Sequence, residues 1–371
     1  MRTAIENRFS SIGSYPADDV TFLLKDLSEV ILEKGTEDRE EAIQSGIHYS
    51  EMLPIEYQPT AEYLNLYHKS LNEYAAKLAV AAGVVAEQIA ERKGDRLVLV
   101  SLARAGTPIG ILIKRYLSFA YGMDAPHYSV SIIRGKGIDA NAMRHIAAKH
   151  PEGDIQFVDG WTGKGAIAKE LTLACGHLKD EYGLHIDDTL AVLADPGHCA
   201  DIYGTREDFL IPSACLNSTV SGLVSRTVHN RELIKDGDFH GAKYYKHLEK
   251  EDVSNDFIDR IVREYPAVKA EISAELAGFK GSYSKADWKG LENVRQIQKE
   301  FGIDDINYIK PGVGETTRVL LRRVPWKILV KNRNDARLKH IILLAEDRGV
   351  PVEEYHGMAY TCCGLIKTIR G

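Results

Sequence analysis

Hydrophobic positions along the chain fall into two alternating rhythms. Between residues 61 and 92, Leu64, Tyr67, Leu71, Tyr74, Leu78, Ala82, Val85 and Ile89 recur at intervals of three and four, which predicts one long amphipathic helix ended by Lys93-Gly94-Asp95. The run Leu97-Val-Leu-Val-Ser-Leu102 is apolar without alternation, as in a strand buried on both faces of a parallel sheet. A helix over Ile109–Phe119 follows, then a strand over His127–Ile133 and a helix over Asn141–His150. The pattern repeats with a strand from Ile155 ending on Asp159, a helix striped by Ile167, Leu171, Ala174 and Leu178, and a strand over Thr189–Ala194. Strand–loop–helix alternation of this kind predicts an α/β fold with a parallel sheet and flanking helices.

Four loops then stand at strand ends: 103–107, 134–139, 159–165 and 195–199. In a doubly wound sheet such loops converge on one crevice at the carboxyl ends of the strands. Their chemistry suits an anion. In Ala103-Arg104-Ala105-Gly106 the small residues expose backbone and the arginine adds a fork of donors. Arg134-Gly-Lys136-Gly puts two cations on a flexible loop. Asp159 precedes Thr162-Gly163-Lys164-Gly165 at a helix start, where amides cradle phosphate. Asp195 ends the next strand. Each motif also has a plain reading as a turn or an exposed hairpin tip.

Outside this core the text is less regular. Residues 13–32 read as a turn leading into a short helix, and Glu37–Glu41 as acidic surface. The Ser-, Thr- and Asn-rich stretch 211–228 reads as packing through small residues, with Asn217, Ser218 and Ser221 open to a ligand role. Residues 250–300 read as charged helices without a site, and 301–316 as a linker. Beyond it, Thr317–Arg323 leads into a strand (327–331), a helix (about 335–348, with Leu338, Ile342 and Ala345 inward) and a second strand (351–355).

Composition refines this picture. At 371 residues, 44% hydrophobic and 27% charged, the chain has the length for two or three domains with a sizeable core. The net charge of −6 is unevenly spread: residues 310–371 carry 12 Lys+Arg against 6 Asp+Glu, leaving about −12 on the body. A basic end on an acidic body points to an anionic partner, nucleic acid first, with Arg322, Arg323, Lys327, Lys331 and Arg333 as candidate RNA contacts. The N-terminus lacks the apolar core of a signal peptide, and no apolar run approaches about 18 residues, so a cytoplasmic protein without a membrane partner is expected. Five cysteines (175, 199, 215, 362 and 363) show neither metal spacing nor disulfide density.

Two stretches, Val158–Gly165 and Leu102–Gly106, resemble the phosphoribosyl pyrophosphate and pyrophosphate motifs of phosphoribosyltransferases. More narrowly, Gly13-Ser-Tyr-Pro-Ala-Asp-Asp-Val, Ala103–Gly110 and Pro212–Gly222 resemble the phosphoribosyltransferase family of tellurium-resistance and stress operons, also labelled cysteine protease StiP, over residues 1 to about 290. The last 60 residues resemble the Pelota-type (L7Ae-like) RNA-binding domain. The resemblance implies a Rossmann-like phosphoribosyltransferase domain over 1–300 (core about 61–230), a linker over 301–316 and an RNA-binding domain over 317–371. It implies a transferase reaction with phosphoribosyl pyrophosphate and Mg²⁺. Ala103, Ala105, Gly106, Asp159 and Thr162–Gly165 would bind the substrate, while Arg104, Arg134 and Lys136 would stabilise pyrophosphate. Magnesium would be held through substrate oxygens, with Asp159 or Asp195 near it, and a homo-oligomer is compatible. One departure stands out, because Gly160 replaces the second of two adjacent acids. Two other readings remain: a cysteine hydrolase using Cys215 or Cys199 with His198, His229 or His240, and a non-catalytic phosphoribosyl-sensing RNA-binding regulator.

Overall fold

The computed structural model describes residues 12–279 and 285–366. Its centre is a sheet of six parallel strands: β1 (Thr21–Leu23), β2 (Leu97–Ala103), β3 (His127–Ile133), β4 (Asp154–Trp161), β5 (Leu190–Ala194) and β6 (Ile202–Thr205). They lie side by side in the order β1-β3-β2-β4-β5-β6, and the short strand Gly137–Ile138 folds back antiparallel on β3. β2 is flanked by β3 on one side and β4 on the other, with Ser101 level with Ser129 and Val158. The chain therefore reverses its winding direction between β2 and β4. In an open parallel sheet that is where a crevice opens at the carboxyl ends.

Both faces of the sheet are covered, which is why its strands read as unbroken apolar runs. Leu97 and Leu99 face helices α1 (Ala61–Lys93) and α2 (Gly106–Tyr121), whereas Val98, Val100 and Leu102 face α3 (Ala140–Lys149) and α4 (Ala166–Tyr182). The first layer is completed by α5 (Ser254–Val262) and α6 (Lys269–Phe279), through Phe257, Ile258, Ile261 and Ile272. Thr60 caps α1, and Gly94 ends it at a φ of 56°. This is a mixed α/β architecture with a mostly parallel central sheet.

The reading of residues 13–32 as turn and helix is corrected. Thr21–Leu23 forms edge strand β1, and Lys25–Asp26 pairs with Gly241–Ala242. Val20, Phe22, Leu23 and Leu24 are buried, so tertiary pairing decides the conformation of a segment too short to show a period.

A second sheet has the order β7-β10-β8-β9, formed by β7 (Ile309–Pro311), β8 (Pro325–Val330), β9 (Val352–Glu354) and β10 (Cys362–Ile366). Helices α7 (Lys289–Glu300), α8 (Val313–Arg322) and α9 (Lys339–Asp347) pack against it. The segment read as a linker, 301–316, contains a 3-10 turn, β7 and the start of α8. Val294 and Ile297 of α7 share a core with Ile309, Leu329 and Leu365, so the second module begins with α7.

The two modules share an apolar seam, in which Val313, Leu320 and Leu321 of α8 join one core with Ala214, Cys215 and buried residues of α1, and the seam also holds a buried carboxylate. Asp208 accepts from the amide of Val313 at 2.8 Å and from that of Thr361 at 2.7 Å, and the Thr361 hydroxyl donates to the Asp208 carbonyl at 3.1 Å. Burial pushes the Asp208 carboxyl up to about 6, against the pull of those donors.

Within the first module, Gly106 sets the approach of the β2 turn to β4. A Cβ there would lie 2.3 Å from the Val158 carbonyl oxygen and 3.1 Å from Asp159 Cα. Gly106→Ala should therefore lower the stability of the chain by about 1–3 kcal/mol, as overpacking against backbone does. Chemical denaturation checks this, and an unchanged midpoint would show that the two turns are not in contact.

Candidate active site at the seam between the modules

The turns after β2 and β4 stand side by side at the switch point, and a cavity of about 290 Å³ opens beside them. Of the residues expected there, Ala105, Arg134, Asp159 and Thr162–Gly165 line it. The others have different places. Arg104 donates to the Val224 carbonyl at 3.1 Å, Gly106 is buried against β4, and Ala103 closes β2. Lys136 lies toward His48 and His229. Asp195 is fully buried, accepting from the Thr162 hydroxyl at 2.5 Å and the Cys199 amide at 2.8 Å. Its position is that of a brace beneath the 162–165 loop.

Burial pushes the Asp159 carboxyl up to about 7, while the amide of Gly160 and the charge of Arg318 pull it down. Burial, then Lys310, then Arg134 push Lys164 down to about 8. Lys164 Nζ donates to the Ile306 carbonyl at 2.7 Å and the Asn307 side-chain oxygen at 3.2 Å. Arg134 reaches the same oxygen at 3.4 Å. Lys310, Glu315 and Arg318, all from the second module, complete the lining. Sequence reasoning assigned none of these three, because only the fold brings residue 310 beside residue 164.

On the other side of the 162–165 loop lies a thiol. The Cys199 sulfur donates weakly to the carbonyls of Gly197 at 3.1 Å and Gly163 at 3.8 Å. It also sits against Gly165, where a Cβ would come within 2.8 Å of it. Gly165 caps the N-terminus of α4, an electrostatic setting that favours a thiolate. The preceding residue, His198, has a left-handed φ of 53°, uncommon outside glycine, and its Nδ1 lies 3.3 Å from an Asp287 carboxylate oxygen. That separation is an ion-pair distance without hydrogen-bond alignment. The second module covers this corner. Trp288 donates its amide to the His198 carbonyl at 2.9 Å, its ring crowds Gly165, and the Tyr360 hydroxyl donates to the Gly163 carbonyl at 3.0 Å. Cys199 is 4% exposed, and burial, then Asp195, push its thiol up to about 12.

The remaining cysteines lack such surroundings. Cys215 is fully buried and pushed up to about 12, with Arg322 and Ser70 as its polar neighbours. The histidines considered as its partners pack on each other instead. The ring centroids of His229 and His240 lie 4.6 Å apart, and His240 Nδ1 is hydrogen-bonded to the Ser131 hydroxyl at 2.9 Å. Cys175 is in the α4 core, and Cys362 and Cys363 are in β10.

Among the proposed RNA contacts, Arg322 turns inward. Its guanidinium donates to the Asn217 side chain and the Cys215 carbonyl, both at 2.6 Å, so it braces the seam. Asn217 and Ser218 are likewise committed, Ser218 donating to Glu56 through its amide and hydroxyl at 2.9 and 2.7 Å. Arg323, Lys331 and Arg333 are exposed, and Lys327 pairs with Glu353 at 2.5 Å. Beside Lys327 stand Trp326 and Phe301, their rings edge to face at 6.2 Å.

The fold and the site define an α/β chain with a polar crevice at the carboxyl ends of a parallel sheet, capped by a smaller sheet module. A family model described as tellurite-like stress resistance cysteine protease StiP matches residues 13–262. A relative named "Cysteine protease StiP", from Acinetobacter baylyi (strain ATCC 33305 / BD413 / ADP1), is 35% identical over 350 residues, covering 92% of this chain and 90% of that protein. The chain belongs to the StiP family. Residues 288–368 match a family model described as the PELOTA RNA binding domain. No solved structure matches.

These findings overturn the transferase expectation: both matches carry the description of a cysteine protease. The two turns do meet, but their meeting reports a crevice common to open α/β sheets rather than the reaction done there. Among the described residues no group of three or more His, Cys, Asp or Glu side chains is placed to hold a metal, and no helix is long and apolar enough to cross a membrane.

The raised thiol has a direct consequence. At pH 8, native Cys199 should react with iodoacetamide at least about tenfold more slowly than in the denatured chain, with a rate that climbs as pH rises from 7 to 9. Mass spectrometry of the labelled peptide measures both, and native labelling as fast as denatured labelling would contradict the burial described here.

Proposed function

We propose that the chain is a cysteine-dependent hydrolase acting in a stress-resistance setting, with Cys199 as nucleophile, His198 as its base, Asp287 orienting the imidazole, and the second module binding RNA. One observation carries the assignment. Among the described residues, Cys199 is the cysteine whose sequence neighbour is a histidine at ion-pair distance from a carboxylate, beside a helix N-terminus.

In this reading His198 accepts the thiol proton, and the thiolate attacks the carbonyl carbon of a peptide substrate. The C–N bond breaks, His198 returns the proton to the leaving amine, and a thioester remains. Water, deprotonated by His198, then hydrolyses the thioester and restores the thiol. Amides at the start of α4 favour the thiolate and the tetrahedral oxyanion. The resting state is latent, because Trp288 and Tyr360 cover the thiol. The first step requires them to move.

Two modules are proposed, meeting near residue 288, just before α7. The names of the matched families support a protease joined to an RNA-binding domain. The exposed Arg323, Lys331 and Arg333, with the Trp326–Phe301 face nearby, suit a strand of RNA through cations and stacking.

Hydrolysis of a mixed peptide library tests the reading. Cys199→Ala should reduce turnover by about a hundredfold or more, as should His198→Gln, whereas Cys215→Ala should leave it unchanged. Turnover that survives Cys199→Ala, or no turnover by the wild-type chain of any library member, would overturn it.

A further inference from the structure

We propose that a groove at the far edge of the first module binds a linear aliphatic polyamine. The inference does not rest on the thiol reading. Helices α1 and α2 end a few residues before β2 and β3 begin, so their C-termini stand at the amino ends of the strands, whereas the crevice lies at the carboxyl ends.

Between those two helix ends and α6 lies a groove of about 850 Å³. Its floor is apolar, with Met123, Leu276 and Phe279 half-buried. Along α1 it carries Glu87, Glu91 and Asp95, and no lysine or arginine is among the described residues that line it. Glu87 accepts from the hydroxyls of Tyr116, at 2.8 Å, and Tyr121, which fixes its place in the row. The backbone adds to the same sign of charge. The last carbonyls of a helix carry partial negative charge, and two helices end here. Their own cations do not answer it: α2 has no basic residue in its last turn, and Lys93 of α1 is drawn away to Asp154 at 2.7 Å and Asp187 at 3.0 Å. Tyr121 and Phe279 bring aromatic rings, whose faces attract a cation.

The shape of the row narrows the ligand. Glu87 and Glu91 are one helical turn apart, about 6 Å along the axis of α1, and Asp95 follows just past the cap at Gly94. Like charges one turn apart disfavour a helix, and a cation that spans them relieves the repulsion. A compact metal ion does not answer such a row, and among the described residues these carboxylates are not grouped to hold one. A linear polyamine does, because its ammonium groups are strung at comparable intervals on methylene runs. Those runs lie well on an apolar floor while the charged groups stay at the carboxylates. The volume falls within the roughly 300–1,000 Å³ usual for ligand sites.

The test uses the full chain, freed of nucleic acid, and titration calorimetry with spermidine at about 150 mM salt. Spermidine should bind at a single site, and more weakly as salt rises. Glu91→Gln and Asp95→Asn should each weaken it about threefold or more, and the double variant about tenfold or more. Both side chains are exposed, so the core is left intact, and the denaturation midpoint of the double variant is checked alongside. Met123→Ser keeps every carboxylate and should also weaken binding, because the methylenes lose part of their floor. Glu271→Gln, at an exposed position of α6 outside the groove, should leave it unchanged. Absence of spermidine binding, or binding undiminished in the folded double variant, would overturn the proposal. So would complete displacement of spermidine by magnesium at the same concentration of charge, which would mark a general cation surface. A lysine-rich peptide that competes with spermidine and binds more tightly would assign the groove to a protein partner and overturn the polyamine assignment.

Discussion

The arrangement of the candidate site rests on how Asp208, within an apolar seam, joins the modules. Its carboxylate takes amide hydrogens from two segments far apart in sequence, Val313 at the start of α8 and Thr361 just before β10. Burying a carboxylate is costly, and the two donors offset that cost only in this one geometry. Alpha-helix α8 carries Glu315 and Arg318 over the crevice, and the strand end at Thr361 fixes Tyr360 against the Gly163 carbonyl. A shift at Asp208 is thus felt on both sides of the 162–165 loop.

That loop divides the site. Its outer surface faces the cations, and its inner surface faces Cys199. Asp195 holds it from below through Thr162, and Gly197 fits so closely that a Cβ there would lie 1.9 Å from the Gly163 oxygen. The loop is accordingly a shared wall, set by the carboxyl ends of β4 and β5. The parallel sheet places such loops together whatever reaction a family performs.

The sequence made much of this visible, and where it misled there is a physical reason. The strands β2 to β5 and the helices between them were legible because burial on both faces leaves long apolar runs. The loops at their ends were legible for the same reason, and seven of the expected residues do line one cavity. Edge strand β1 was not, since three residues cannot display a period. The 301–316 segment reads as a linker because Pro311, Gly312 and Gly314 look like punctuation, yet Ile309 pairs with Leu365 and Gly312 turns the chain into α8 at a φ of 90°. Arg322 reads as a surface cation, but the helix face it occupies points at Cys215 and Asn217. Asp287 and Trp288 gave no signal at all, because their role comes from contact with a loop ninety positions earlier. The phosphate-like motif of Asp159 to Gly165 pointed to a transferase, and relatedness over 92% of the chain to a protein named as a cysteine protease corrected it.

The central claim is that one seam holds the second module over both the thiol and the crevice. Hydrogen exchange at the amides of 163–167 and 197–201 tests it most directly, comparing the wild-type chain with Asp208→Ala. These amides should exchange markedly faster in the variant, while those of β2 and β4 keep their protection, because the module lifts and the sheet stays folded. Unchanged protection at 163–167 and 197–201 in a chain lacking the Asp208 carboxylate would contradict the account.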